Sequence, residues 1–181
     1  MLNWLRTKLR PRTEDSAETH PCVVVLLKAP EFQSAQDALE IGKKAWPGGD
    51  PVELVQTLEN GSSHILRRGK FWFAVHQGNL PCDVAGQEAT ELLQRPWDEH
   101  TAWLSIDLPM QSTAQLKKID SLGSAYRLLL VYAFLSWSPN CLAIYFPAEG
   151  ITVPNLGDLA DSINWARKNG QNLDFLSTSP G

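Results

Sequence analysis

The chain has 181 residues, of which 43% are hydrophobic and 20% charged, a balance that suits a folded domain and excludes a disordered one. Sixteen basic residues against twenty acidic ones give a net charge of −4, without the basic stripe that marks a nucleic-acid-binding surface. The cysteines Cys22, Cys82 and Cys141 are far apart and form no Cys-x-x-Cys pair, so no disulfide framework or cysteine zinc site is expected, and reduced thiols in a cytoplasm are the simplest setting.

Met1 to Arg12 mixes Leu2, Trp4, Leu5 and Leu9 with Arg6, Lys8, Arg10 and Arg12. It lacks the continuous apolar stretch of a signal peptide. It reads as a frayed tail, or as a basic amphipathic turn for a membrane surface or a partner. Arg12 to Pro21 is polar, acidic and bounded by prolines, so residues 1–21 form a tail and linker ahead of one domain, residues 22–170, with a short tail over 171–181.

Cys22 to Ala29 is a nearly unbroken apolar run rich in valine, the pattern of a strand buried on both faces. Ser34 to Trp46 carries Ala35, Ala38, Leu39, Ile41 and Ala45 near one stripe of a helix, stopped by Pro47-Gly48-Gly49. Val52 to Leu58 is open between strand and helix. Ser63 to Leu66 and Lys70 to His76 read as a hairpin turning through Arg67-Arg68-Gly69-Lys70. In its second strand Trp72, Ala74 and His76 share one face. Gly86 to Leu93 reads as a short helix ending before Pro96, and Thr101 to Leu108 alternates as a half-buried strand.

Ser112 and Gln115 fit a capping box ahead of a long helix reaching Trp137, apolar nearly all round over Tyr126 to Leu135. Its most apolar part, Leu128 to Leu135, is far short of the roughly 20 residues of a membrane span. Cys141 to Phe146 reads as a buried strand, and Leu156 to Asn169 as a helix capped by Asn155 and stopped by Gly170. This order implies an α+β fold: a single mixed β-sheet of about five strands with helices packed on it, the last two strands parallel across the long helix.

None of the histidines His20, His64, His76 and His100 has metal-ligand spacing, no phosphate-binding glycine motif occurs, and neither metal nor cofactor is expected. His100 precedes a strand and is in phase with its apolar face, a place for a general base or, more simply, for a histidine bonded to backbone. Cys82, six residues after His76, offers a thiol nucleophile or an inert buried thiol. Asp98, Glu99 and Asp107 lie near the same strand as His100 and offer carboxylates for acid–base work or a solvated face. Trp72, His76 and Trp103 line one sheet surface if their strands are neighbours, which makes an aromatic binding face unless a helix covers it.

The run Val23-Val24-Val25-Leu26-Leu27-Lys28-Ala29-Pro30, a helix ending at Trp46-Pro47, Phe73-Ala74-Val75, Trp97, His100, a strand over Ala102 to Ile106, Leu142-Ala143-Ile144-Tyr145 and Gly150-Ile151-Thr152-Val153-Pro154 resembles an uncharacterised bacterial family, domain of unknown function 4261. The resemblance spans Cys22 to Ile163 and singles out Trp97 and His100. Trp103 stands where that pattern implies a second histidine or a small residue. The family has no established activity, so the likeness implies a fold. Two expectations follow. One is a non-enzymatic binding module of a bacterial cytoplasm that takes a protein or peptide partner through Trp72, His76, Trp97 and Trp103, with a homodimer as a further possibility. The other is a small hydrolase or transferase using His100 with Cys82 or a nearby carboxylate.

Overall fold

The computed structural model describes residues 21–58, 61–82, 90–109 and 122–176. The tail and linker, the capping box at Ser112 and Gln115, and the start of the helix expected from Gly86 lie outside these residues. The described elements, in chain order, are β1 (Cys22–Leu27), α1 (Ala35–Ala45), β2 (Val52–Leu58), β3 (Ser63–Arg68), β4 (Phe71–Gly78), α2 (Glu91–Glu99), β5 (Ala102–Asp107), α3 (Leu122–Leu135), β6 (Cys141–Phe146), β7 (Ile151–Pro154), α4 (Leu159–Lys168) and a final 3-10 turn, Asp174–Leu176.

The seven strands form one sheet in the order β2-β3-β4-β5-β1-β6-β7. The α+β class stands, with two strands more than expected. The added strands are β2, whose alternation is broken by a bulge between Leu54 and Gln56, and the four-residue β7 between Gly150 and Asn155. Every neighbouring pair is antiparallel, which corrects the expected mixed sheet. The cause is the place of β1. It lies between β5 and β6, so these two run in the same direction without touching, and α3 crosses over β1 to join them.

All six β1 residues are buried. Val23, Val25 and Leu27 enter the main core with Trp46, Phe73, Leu104, Leu129 and Ile144, under α1, α3 and α4. Cys22, Val24 and Leu26 enter a smaller core on the other face with Cys82, Trp97, Ala143 and Tyr145, under α2. Burial of each Val or Leu side chain of this strand stabilises the fold by roughly 1.5–3 kcal/mol.

Local chemistry sets the ends of the helices. Ser34 caps α1 by accepting from the Asp37 N–H at 3.1 Å, and Asp37 accepts in return from the Ser34 N–H at 3.0 Å. Trp46 at the end of α1 stacks on Phe73 with ring centroids 3.8 Å apart and donates its indole N–H to the Leu128 carbonyl at 2.9 Å, tying α1, the sheet and α3 together. The last helix starts at Asp158, which accepts from Ala160 and Asp161 N–H groups; Asn155 instead folds back on Gly157 and holds the Cys141 carbonyl. Pro96 lies inside α2 instead of ending it. The helix loses one backbone bond at the proline, and burial of Leu93, Pro96 and Trp97 against β6 and β7 offsets that loss.

Gly78 on β4 faces Trp103 on β5, and a Cβ built on it would stand 2.5 Å from the indole. Gly78→Ala should therefore destabilise the fold by about 1–3 kcal/mol through overpacking. Combining it with Trp103→Leu should cost less than the sum of the two single changes. Urea unfolding of the three variants checks both statements.

Candidate functional site

The sheet topology brings Trp72, His76 and Trp103 to one face, because β4 and β5 are neighbours. This is the face that α2 covers, but α2 packs mainly on β6 and β7. Arg67, paired with Trp72 across β3 and β4, lies 5.9 Å over its ring and forms an ion pair with Glu53 on β2. Both indoles are half-buried. Trp97 is separate from them. It comes from α2, is buried, donates its indole N–H to the Thr152 hydroxyl at 3.1 Å, and meets Tyr145 edge-on at 4.9 Å. These contacts make it the anchor of α2 on β6 and β7.

His76 sits in a polar row across three strands, between Ser63 on β3 and Ser105 on β5. The Ser63 hydroxyl lies 2.8 Å from Nδ1 of His76, and Oδ2 of Asp107 lies 3.6 Å from Nε2. Asp107 is two residues beyond Ser105, and both are buried.

His100 is 4% exposed, with both ring nitrogens bonded to backbone. Nε2 accepts from the Cys82 N–H at 2.8 Å, which fixes the proton on Nδ1, and Nδ1 donates to the Trp97 carbonyl at 2.7 Å. The contact with Cys82 is thus to its main chain. It fastens the segment after β4 to the end of α2. Asp98 and Glu99 are engaged on the outer side of α2 by Gln94 and Arg95. Asp107 lies at the far end of β5, roughly 17 Å along the strand from the His100 end. All three cysteines are buried and none forms a disulfide with another, and burial pushes the Cys141 thiol up to about 12.

Several exposed apolar side chains lie on the opposite side of the sheet. Val131, Phe134 and Leu135 point outward from the last turns of α3 at helical spacing, and Phe32 stands 56% exposed beside them. Leu135, Phe32 and Trp137 rim a cleft of about 240 Å³ whose floor is Leu27, Ile41 and Leu104. Glu31 and Asp37 are its charged lining residues, and the bonds from Ser34 hold the Asp37 carboxyl below its ordinary value.

Gln33 fixes the wall of this cleft. Its N–H and carbonyl both bond the Gln77 side-chain amide, at 2.8 and 2.9 Å. Nε2 of His64 donates to the same carbonyl at 3.0 Å, leaving Nδ1 to accept from Thr57. The Gln33 side chain accepts from the Tyr132 hydroxyl and donates to Ser136. Burial raises the Tyr132 hydroxyl well above its ordinary value, so it stays a donor. Sequence reasoning passed over Phe32, Gln33 and Leu135. The one signal, for Leu135, is the apolar surface nearly all round the helix over Tyr126 to Leu135; Phe32 and Gln33 lie in a loop and carry none.

Two outcomes follow from the buried groups. His100→Ala should cost about 1–3 kcal/mol in urea unfolding, because the Cys82 N–H and Trp97 carbonyl lose their partner. In a chain carrying Cys22→Ser and Cys82→Ser, iodoacetamide at pH 8 should alkylate Cys141 only after unfolding, since the raised thiol holds almost no thiolate below pH 9. Mass spectrometry of native and urea-treated samples reads the difference. Compared with known proteins, the chain matches no family model, no curated protein and no solved structure.

Proposed function

We propose that the chain is a non-enzymatic binding module whose cleft between α1 and α3 takes a basic amphipathic segment of a protein partner. The observation that carries this reading is a concave, apolar-floored cleft rimmed by the exposed Phe32 and Leu135, with Val131 and Phe134 exposed on the same helix as Leu135. Apolar pockets with a few fixed polar groups are the usual form of binding sites, and contiguous exposed apolar surface marks interaction faces. The rim carries Glu31 and Asp37 with no lysine or arginine among the lining residues, which favours a cationic partner. Gln33 is bonded before any ligand arrives, so little ordering is left to oppose binding.

The apolar surface on α3 supports this cleft over the Trp72–Trp103 face, where both indoles are half-buried. The hydrolase or transferase alternative needs an imidazole nitrogen open to a substrate, and in His100 both are bonded to backbone. No helix among the described residues is long and apolar enough to cross a membrane. A bacterial cytoplasm, with its reduced thiols, is the setting we propose.

The segment Met1 to Arg12 has the partner chemistry inferred here and supplies a probe. A fluorescent peptide of these twelve residues should bind the full chain saturably in anisotropy titrations. Leu135→Asp or Phe32→Asp should weaken it at least roughly ten-fold, as should replacing the peptide's basic residues with glutamate. Both substituted sites are exposed, so circular dichroism should find these variants folded. An absence of binding at millimolar peptide, or binding indifferent to Leu135→Asp, rejects the proposal.

A further inference from the structure

The cleft between α1 and α3 and the segment Met1 to Arg12 belong to one chain, and their chemistry is complementary. The segment carries Arg6, Lys8, Arg10 and Arg12 with no acidic residue. Its Leu2, Leu5 and Leu9 recur at the three- and four-residue spacing of an apolar helix stripe. The cleft supplies the matching half, a floor of Leu27, Ile41 and Leu104 with the carboxylates of Glu31 and Asp37 on its lining.

Both carboxylates are held by neutral groups. The Asn140 side-chain amide donates to Glu31, and the Ser34 hydroxyl and N–H donate to Asp37. Among the described residues the lysines and arginines in ion pairs meet Glu40, Glu53 and Glu99, so neither cleft carboxylate has a cationic partner. A cationic ligand meets that charge without displacing an existing ion pair.

The reach of the chain fits as well. The segment joins the described fold at Pro21, immediately before β1. Leu27, on the cleft floor, is at the other end of that strand, roughly 20 Å away. Climbing past a helix layer adds about 10 Å. The chain from Leu9 to Pro21 spans up to about 40 Å when extended, which covers that path. A segment joined to its site over such a distance meets it at an effective concentration on the order of a millimolar, far above that of a second copy at micromolar protein.

We infer that Met1 to Arg12 occupies the cleft of its own chain, so that an external partner has to displace it. This rests on the reading of the cleft as a site for a basic amphipathic segment, and it adds the regulation of that site. The segment then sets a threshold: a partner binds only when its affinity exceeds what the tethered competitor allows.

The test compares the full chain with a full chain carrying Leu5→Ser and Leu9→Ser. These changes remove the apolar stripe and leave the charge untouched, so a gain in binding is not a change in overall electrostatics. In anisotropy titrations the labelled Met1–Arg12 peptide should bind the substituted chain at least roughly five-fold more tightly than the unsubstituted one. Adding Leu135→Asp to the substituted chain should remove the gain. In a second measurement a photocrosslinking phenylalanine analogue replaces Leu9 in the full chain at micromolar concentration. Irradiated protein should run as a monomer, with residue 9 joined to peptides containing Phe32 or Leu135. Equal affinity for the two chains overturns the inference and leaves the reading of the cleft standing. Binding to neither chain rejects both. Covalent dimers, or crosslinks that avoid the cleft, overturn occupancy within one chain.

Discussion

The structure depends on one constraint: β1 has no polar side chain on either face. A six-residue strand with all its side chains buried must be paired along both edges and covered above and below. Pairing with β5 on one side and β6 on the other satisfies its backbone. Cover comes from α1, α3 and α4 on one face and from α2 with Cys82 on the other. The long apolar helix α3 is set by the same demand, since it must cross the strand it covers to connect β5 with β6.

Elements whose sequence pattern reflects local rules were readable in advance. The run Val23 to Leu27 reads as a doubly buried strand, and the apolar stripe from Ala35 to Ala45 marks α1. Elements shaped by neighbours were not. The bulge at Val55 interrupts the alternation of β2, so Val52 to Leu58 carries neither period cleanly. β7 is four residues long and borrows its stability from β6. Pro96 carries a stop signal that buried packing overrides.

The candidate sites were harder to read for the same reason. Gln33 stands in a short loop after Pro30, and its tertiary partners His64, Gln77, Tyr132 and Ser136 come from β3, β4 and the end of α3. Asp107 lies seven residues from His100 in sequence, yet strand register sets it beside His76. His100, the histidine most conspicuous in the sequence, proves to be a clasp between two backbone segments. Chemistry on a sheet face is written in cross-strand partners, and a single strand does not name them. The two faces also handle polar burial differently: the groups around Gln33 satisfy one another by hydrogen bonds, whereas the buried Asp107 carboxylate faces the His76 imidazole at 3.6 Å.

The central position of β1 also governs how the chain is born. Its partner strands begin at Ala102 and Cys141, so β1 waits for about half of the domain before its first edge is filled and for most of it before the second is. At roughly 5–20 residues per second, a valine-rich segment with at least one open edge is exposed for about 6–24 s of synthesis. Such distant closure is also slow in itself. A nascent chain of this kind is a substrate for holding chaperones, and a ribosome that stalls before Cys141 releases a sticky fragment.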